Sequence, residues 1–249
     1  MKVAVCLKRV PDTTARIRVG ADGKSIDSSD IQYVISPFDE FAIEEGILRK
    51  EAAGSGSVTV LTVGPDTSLE SLRKALGMGA DDGVLIRTDE TLDSRSTAES
   101  LAAVLRERGD DLILFGRQSV DGQSSQVGAQ TAQILGIPYV GDVVALEIEG
   151  DSAKITREVE GGHMVLRGKL PVALGTQKGL NEPRYPSLKG IMMAKKKPVE
   201  TVEATHGAQT LETIALSPPP ERPAGKIVGE GADAAPELVR LLREEAKVI

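Results

Sequence analysis

"DLILFGRQSVDGQSSQVGAQTAQILG", residues 111–136, joins an apolar run of strand length to a helix-like segment through a loop of glycine, serine and glutamine. DLILFG (111–116) shows no polar alternation, which marks a strand buried on both faces. SSQVGAQTAQILG (124–136) reads as a helix. Upstream the same alternation recurs: KVAVCLK (2–8), SVTVLTVG (57–64) and GVLIR (83–87) read as strands. Between them, PFDEFAIEEGILRKEAA (37–53) sets Phe41, Ile43, Ile47 and Leu48 at helical spacing. SLESLRKALGMGA (68–80) reads as a helix capped by Ser68, and STAESLAAVLRER (96–108) as one opening at Ser96. Unalternating strands separated by helices build a parallel sheet covered on both faces, a doubly wound α/β fold.

Beyond residue 140 the texture changes. DVVALEIEGDSAKITREVEGGHMVLRGKLPVALGTQ (142–177) alternates, with EGD and EGG as turns, and predicts an antiparallel extension of the sheet. LNEPRYPSLKGIMMAKKK (180–197) follows; its two prolines and glycine predict an irregular loop, with Leu188 in the middle and three lysines at the end. Residues 198–235 lose periodicity and contain SPPPERPAG (217–225), an extended, polyproline-like connector. AAPELVRLLREEAKVI (234–249) is amphipathic, with Leu238, Leu241 and Leu242 on one face, and is expected to dock either on its own domain or on another chain. The domains expected are therefore 1–197, carrying the extension and the 180–197 loop, and a 198–249 arm.

Composition narrows the function classes. The 249 residues are 40% hydrophobic but only 2% aromatic, without tryptophan, so the core must be aliphatic. A net charge of −7 argues against a nucleic-acid binder, whose phosphate contacts want a basic face. The single cysteine, Cys6, excludes an internal disulfide and sits in an apolar run, where it reads as a buried strand residue. His163 and His206 lie far apart with no cysteine or histidine at ligand spacing, so no metal is expected. With no signal-peptide pattern and no run of apolar residues long enough to span a bilayer, the reading is cytoplasmic.

In an open parallel sheet, ligands bind beyond the carboxyl ends of the strands. Three loops lie at such ends: KRVPDTT (8–14), VGPD (63–66) and GRQSVDGQSSQVG (116–128). The third suits a phosphate. Gly116 and Gly122 admit close backbone approach, Ser124 and Ser125 offer hydroxyls, Arg117 adds charge, and the helix that follows offers free N–H groups. The motif is neither a P-loop nor GxGxxG, so nucleotide binding and an ordinary capped helix both remain open on spacing alone. No nucleophile–base pair stands out for catalysis, and any redox chemistry needs a bound cofactor. Glu158 and Glu160 fall on one side of a regular strand, where they are either solvated or paired with a partner.

VCLKRVPDT, SPFDEFAIEE, ALGMGAD, GRQSVDGQSSQVG, REVEGG and LNEPRYPSLKGIMMAKKK occur in that order, and with them residues 1–197 closely resemble the beta subunits of electron transfer flavoproteins; the arm fits more loosely. The resemblance implies a Rossmann-type, flavodoxin-like fold of the adenine nucleotide alpha-hydrolase kind, and pairing with a larger alpha subunit that holds most of one FAD. It implies electrons received from dehydrogenases such as the acyl-CoA dehydrogenases of fatty acid oxidation, and passed to a quinone oxidoreductase in respiration. An AMP without redox role is implied at Cys6, at Ser36, Pro37, Phe38 and Asp39, at Val63, and at Gly116, Arg117, Gln118, Ser119, Val120, Asp121, Gly122, Gln123, Ser124, Ser125, Gln126 and Val127. Leu188 matches the family's anchor for the dehydrogenase, with Lys195, Lys196 and Lys197 beside it to speed encounter. Glu158 matches a glutamate that pairs with an alpha-subunit arginine near the flavin. Thr13 stands where some relatives carry a tyrosine. DGQSSQVG is nearer to flavin-bifurcating members, in which a second FAD replaces AMP and oxidises NADH, whereas SPFDEFAIEE is of the AMP-binding type; AMP is the expectation. A stand-alone adenine-nucleotide enzyme on the same fold is the reading from another class.

Overall fold

The computed structural model describes residues 1–221 and 224–249. Strand β1 (Lys2–Cys6) leads through a short antiparallel ribbon, β2 (Arg9–Pro11) with β3 (Tyr33–Ile35), into helix α1 (Pro37–Ala53). Strand β4 (Ser57–Gly64), helix α2 (Leu69–Met78), strand β5 (Asp82–Arg87), helix α3 (Ser94–Arg106), strand β6 (Leu112–Gly116) and helix α4 (Val127–Leu135) complete the alternation. Proline at the first turn of α1 and Gly54 in the left-handed conformation after it fix that helix at both ends. Ser68 stands at the N-cap of α2 as expected but gives no side-chain cap bond, and Ser96 is not the cap of α3. A short 3-10 turn (Asp66–Ser68) precedes α2, and the cap of α3 is Asp93, whose carboxylate accepts from the Ser96 N–H at 2.7 Å.

The next segment runs from β7 (Tyr139–Glu149) through β8 (Ser152–Val159) and β9 (Gly162–Lys169) to β10 (Val172–Thr176). The first three form the expected meander. VALGT departs from it: β10 is buried along its whole length and lies parallel between β6 and β7, inside the main sheet. Strand β7 kinks at Asp142, a non-glycine residue at φ 55, with the register shifting on both sides. The kink turns the meander onto α1, where Leu146, Ala153 and Ile155 join Ile43 and Ile47 in one core cluster and Arg49 reaches the Leu146 carbonyl.

Helix α5 (Leu188–Ala194) and strand β11 (Val199–Glu203) correct two further expectations. The 180–197 segment is not irregular throughout, and the aperiodic stretch begins with a strand that pairs parallel with β5. Among the described residues, nine strands form the main sheet in the order β11-β5-β4-β1-β6-β10-β7-β8-β9, apart from the β2-β3 ribbon. Val3 and Val5 of β1 face α1 and α2, whereas Ala4 and Cys6 face α3 and α4, so helices cover both faces of an aliphatic core as composition required. The chain leaves β1 toward β4 and β5, then returns to β6 on the opposite side of β1. By the rule for open α/β sheets, that reversal assigns the ligand-binding crevice to the carboxyl ends of β1 and β6.

The arm is pinned at its root before it leaves the domain. Asp93 accepts hydrogen bonds from the Thr210 N–H, the Thr210 hydroxyl and the Leu211 N–H at 2.6, 2.9 and 3.1 Å, while Glu99 accepts from the Gly207 N–H. The connector SPPPERPAG includes Arg222 and Pro223, which lie outside the described residues. Helix α6 (Ala235–Glu244) buries none of its residues in this chain, so Leu238 and Val239 stay exposed. Asp93→Ala removes a helix cap and the arm's tether together. The expected result is a loss of about 1–2 kcal/mol in urea unfolding, with faster amide exchange at Thr210 and Leu211. Unchanged exchange at those two amides would refute the tether.

Candidate functional site

The crevice between β1 and β6 is organised by one buried carboxylate. Asp39, in the first turn of α1, accepts from the Lys8 N–H at 2.7 Å and from the Gly116 N–H at 3.0 Å. Two strand ends from opposite sides of the topological switch are thereby held to one helix. Gly116 is required there: a Cβ would lie 2.8 Å from the Phe38 backbone carbon and closer still to the Asp39 carboxylate. Thr176, at the end of β10, donates toward the Phe38 and Phe115 carbonyls, each at 3.1 Å. Burial pushes the Asp39 carboxyl up to about 7, against the two N–H groups and the Lys8 charge. Burial, and then the nearby Asp39, raise the Cys6 thiol well above its ordinary range, so Cys6 is a packed strand residue and not a nucleophile.

The loop after β6 takes an unusual path. Gln123 and Ser125 both adopt left-handed φ values, 50 and 54°, at a cost of about 1 kcal/mol or more each. Left-handed residues in such a turn are the backbone pattern from which anion-binding concavities are built. The path is held locally: the Gln123 N–H donates to the Ser119 carbonyl, the Ser125 hydroxyl to Gln118, and the Ser94 hydroxyl to that of Ser124 at 3.3 Å. Gln126 gives α4 no side-chain cap, which leaves the first-turn N–H groups from Val127 on without protein acceptors. Lys8 reaches into the loop with its ammonium 2.7 Å from Asp121. Burial acts to raise the Asp121 carboxyl, but Lys8 and the bonds from Ser119 and Gly122 outweigh it and hold it below its usual range.

Ser36, at the cap of α1, is wholly buried and its hydroxyl has no partner. An orphaned buried hydroxyl costs about 1–3 kcal/mol unless something else satisfies it. Val63, next to last in β4 on the neighbouring side of β1, is half-buried. The structure thus gathers Cys6, Ser36–Asp39 and Gly116–Val127 around one crevice, with Val63 at its flank. Gly122 lies in the exposed turn of the loop, whereas Val120 before it is half-buried.

A second, open cleft of about 820 Å³ adjoins it, lined by Arg117, Asp142, Arg157, Glu158, Gly161 and Gln177 among others. Asp142 lies 3.3 Å from Arg117 and 3.4 Å from Arg157, and Glu158 accepts from the Gln177 amide at 3.1 Å. Arg117 also stacks over Phe38, 5.8 Å from the ring centre, and so links the two clefts. Glu158 and Glu160 both line this charged cleft, Glu160 from the turn after β8.

Farther along the molecule, Leu188 opens α5 behind the Ser187 cap and is 84% exposed, with Lys195 and Lys196 also in solvent. Lys197 does not join them. Its ammonium turns inward to the Leu76 and Ala80 carbonyls at the end of α2, where unsatisfied carbonyls attract a cation, and burial lowers its pKa. Sequence reading singled out the 8–14 loop but not Lys8 itself, and missed Ser94, Asp142, Arg157, Thr176 and Gln177. Each comes to the site through tertiary arrangement, which no local pattern encodes. Among the described residues no cluster could hold a metal ion, and no helix is long and apolar enough to cross a membrane.

Residues 24–206 match the family model described as "Electron transfer flavoprotein domain". Over its full length the chain is 42% identical to the electron transfer flavoprotein subunit beta of Bacillus subtilis, covering all of that protein. It is 40% identical to the subunit beta of Syntrophomonas wolfei, covering 98% of it, and 34% identical to the human subunit beta, covering 99%.

Proposed function

The chain belongs to the electron transfer flavoprotein family, as one of its beta subunits, and from that premise we propose that it is an electron-carrier subunit that pairs with an alpha subunit, binds AMP between β1 and β6, and docks a dehydrogenase through Leu188. The crevice carries this reading. The left-handed loop and the uncapped end of α4 are the residues that would hold a phosphate. The residues present therefore fit the group. Asp39 accepts N–H bonds from both strand ends and holds them to α1; Lys8 neutralises Asp121 so that the loop carries no free negative charge toward a phosphate.

FAD, held mostly by the alpha subunit, supplies the one- and two-electron chemistry that no side chain of this chain can. This chain's part is to bind and orient. Glu158 lies in the charged cleft with Arg117 and Arg157, and in this reading it would pair with an arginine of the alpha subunit. The exposed apolar side of α6 gives the arm a surface to lay on that subunit. Acyl-CoA dehydrogenases as donors and a quinone oxidoreductase as acceptor complete the reading.

Co-expression with the alpha subunit, denaturation of the complex and quantification of released nucleotides tests it. One FAD and one AMP per heterodimer is the expected result. Two FAD and no AMP would make this a bifurcating subunit whose 116–127 loop holds flavin phosphate, and absence of both would defeat the cofactor reading.

A further inference from the structure

The segment that presents Leu188 is bolted to the domain at several points. Arg184 lies over α1 with its guanidinium forked between Glu44 and Glu51: Nε and Nη2 donate to Glu44 at 2.9 Å, and Nη1 donates to Glu51 at 2.9 Å. The Arg184 N–H adds a bond to Glu44, which is buried. Three residues earlier, Asn181 donates to Glu45 and to the Phe41 carbonyl. Helix α5 then crosses α2 at glycines. A Cβ on Gly190 would drive into the Gly77 carbonyl oxygen, whereas one on Gly77 would meet only Pro186 Cβ at 3.5 Å and the Ile191 backbone at 3.8 Å. At the far end the two helices cap each other. Arg73 donates to the Ala194 and Lys197 carbonyls at 2.7 and 2.6 Å, and Lys197 to those of Leu76 and Ala80.

Every fixed point lies beneath the segment. Above it stand Tyr185 at 95% exposure, Leu188 at 84% and Met192 at 72%. Ordering side chains and backbone on binding weakens association, and a surface already fixed in its bound form avoids that cost. We propose that Arg184 and Gly190 are positioning residues of the docking surface, fixing α5 on α1 and α2 before a partner arrives so that Tyr185, Leu188 and Met192 form one rigid apolar plug for a hydrophobic pocket on the dehydrogenase. The inference rests on the docking reading above. Lysine cannot fork across two carboxylates as arginine does, so Arg184→Lys keeps the charge and loses the clamp. Alanine is the better helix former, so any loss in Gly190→Ala comes from the crossing with α2 and not from propensity.

The test uses the intact heterodimer in five forms: wild type, Arg184→Lys, Gly190→Ala, Gly77→Ala and Leu188→Ala. Amide exchange over residues 188–196 reads rigidity. Reduction by an acyl-CoA dehydrogenase of the same organism, with its acyl-CoA substrate, reads docking as KM and kcat for the heterodimer. Arg184→Lys and Gly190→Ala should each speed exchange and raise KM by about tenfold with kcat unchanged, and Gly77→Ala should match wild type on both counts. Wild-type exchange and KM in Arg184→Lys and Gly190→Ala would overturn the positioning role. An unchanged KM in Leu188→Ala would instead overturn the docking reading itself, and exchange in the other variants would still report whether the clamp exists.

Discussion

Leu188→Ala should slow electron transfer from the dehydrogenase to the heterodimer's flavin by roughly thirtyfold at sub-saturating concentration, the equivalent of about 2 kcal/mol for an interface anchor. A leucine 84% exposed at the head of a capped helix contributes nothing to this chain's own core, so its removal should leave the unfolding midpoint where it was. FAD and AMP content should also be unchanged, because the crevice between β1 and β6 and the α5 surface share no side chain. Stopped-flow reduction of the heterodimer by an acyl-CoA dehydrogenase reads the loss directly. Transfer at the wild-type rate would remove Leu188 from the docking surface. Dithionite, which needs no docking, should reduce both proteins equally and so separates a docking defect from a flavin defect.

Much of this architecture was legible from the chain because burial imposes a pattern. LILFG, VAVC and TVLTV have no polar alternation since both faces of their strands are covered, and α1 was bounded correctly because Pro37 and Gly54 mark its ends. The errors have equally physical sources. VETVE has only two valines, three residues apart, and so hid in the arm: β11 is an edge strand of the parallel sheet and buries little. VALGT hid in the opposite way: five residues directly after a meander carry too little pattern to reveal a central strand. Helix α5 escaped because it has seven residues, a proline two places before its start and a glycine in its middle. Its stability comes from the Gly77–Gly190 crossing and from Arg73 and Lys197, none of which is local in sequence. The 116–127 loop was recognisable by composition, but its left-handed residues are not glycines, and only the fold shows where Gln123 and Ser125 bend it.

Asp39 gives the largest effect expected on the chain itself. Asp39→Ala leaves the Lys8 and Gly116 N–H groups without acceptors in a buried place, at about 1–3 kcal/mol each, and adds a small cavity; a total of about 3–5 kcal/mol follows. AMP should be lost with it, since both strand ends of the crevice are released. Asp39→Asn separates geometry from charge. Its amide oxygen satisfies one N–H while its NH2 confronts the other, so it should be destabilised less, and without a proton to exchange. The pH dependence then has a definite sign. The carboxyl titrates at 3.8 when unfolded and at about 7 when folded, so between those values the folded chain holds the extra proton. Stability from this group is full below about pH 4 and declines as pH rises through 7, by at most about 4 kcal/mol at 1.36 kcal/mol per unit. Urea unfolding of wild type and Asp39→Asn at pH 5 and pH 8 should therefore show the wild-type advantage shrinking at the higher pH. An advantage that grows instead would mean that the two N–H groups and Lys8, with its partner Asp121, outweigh burial and hold Asp39 ionised. The crevice would then carry a fixed negative charge at its floor, and the phosphate of a bound nucleotide would have to lie on the Gln123–Val127 side, away from it.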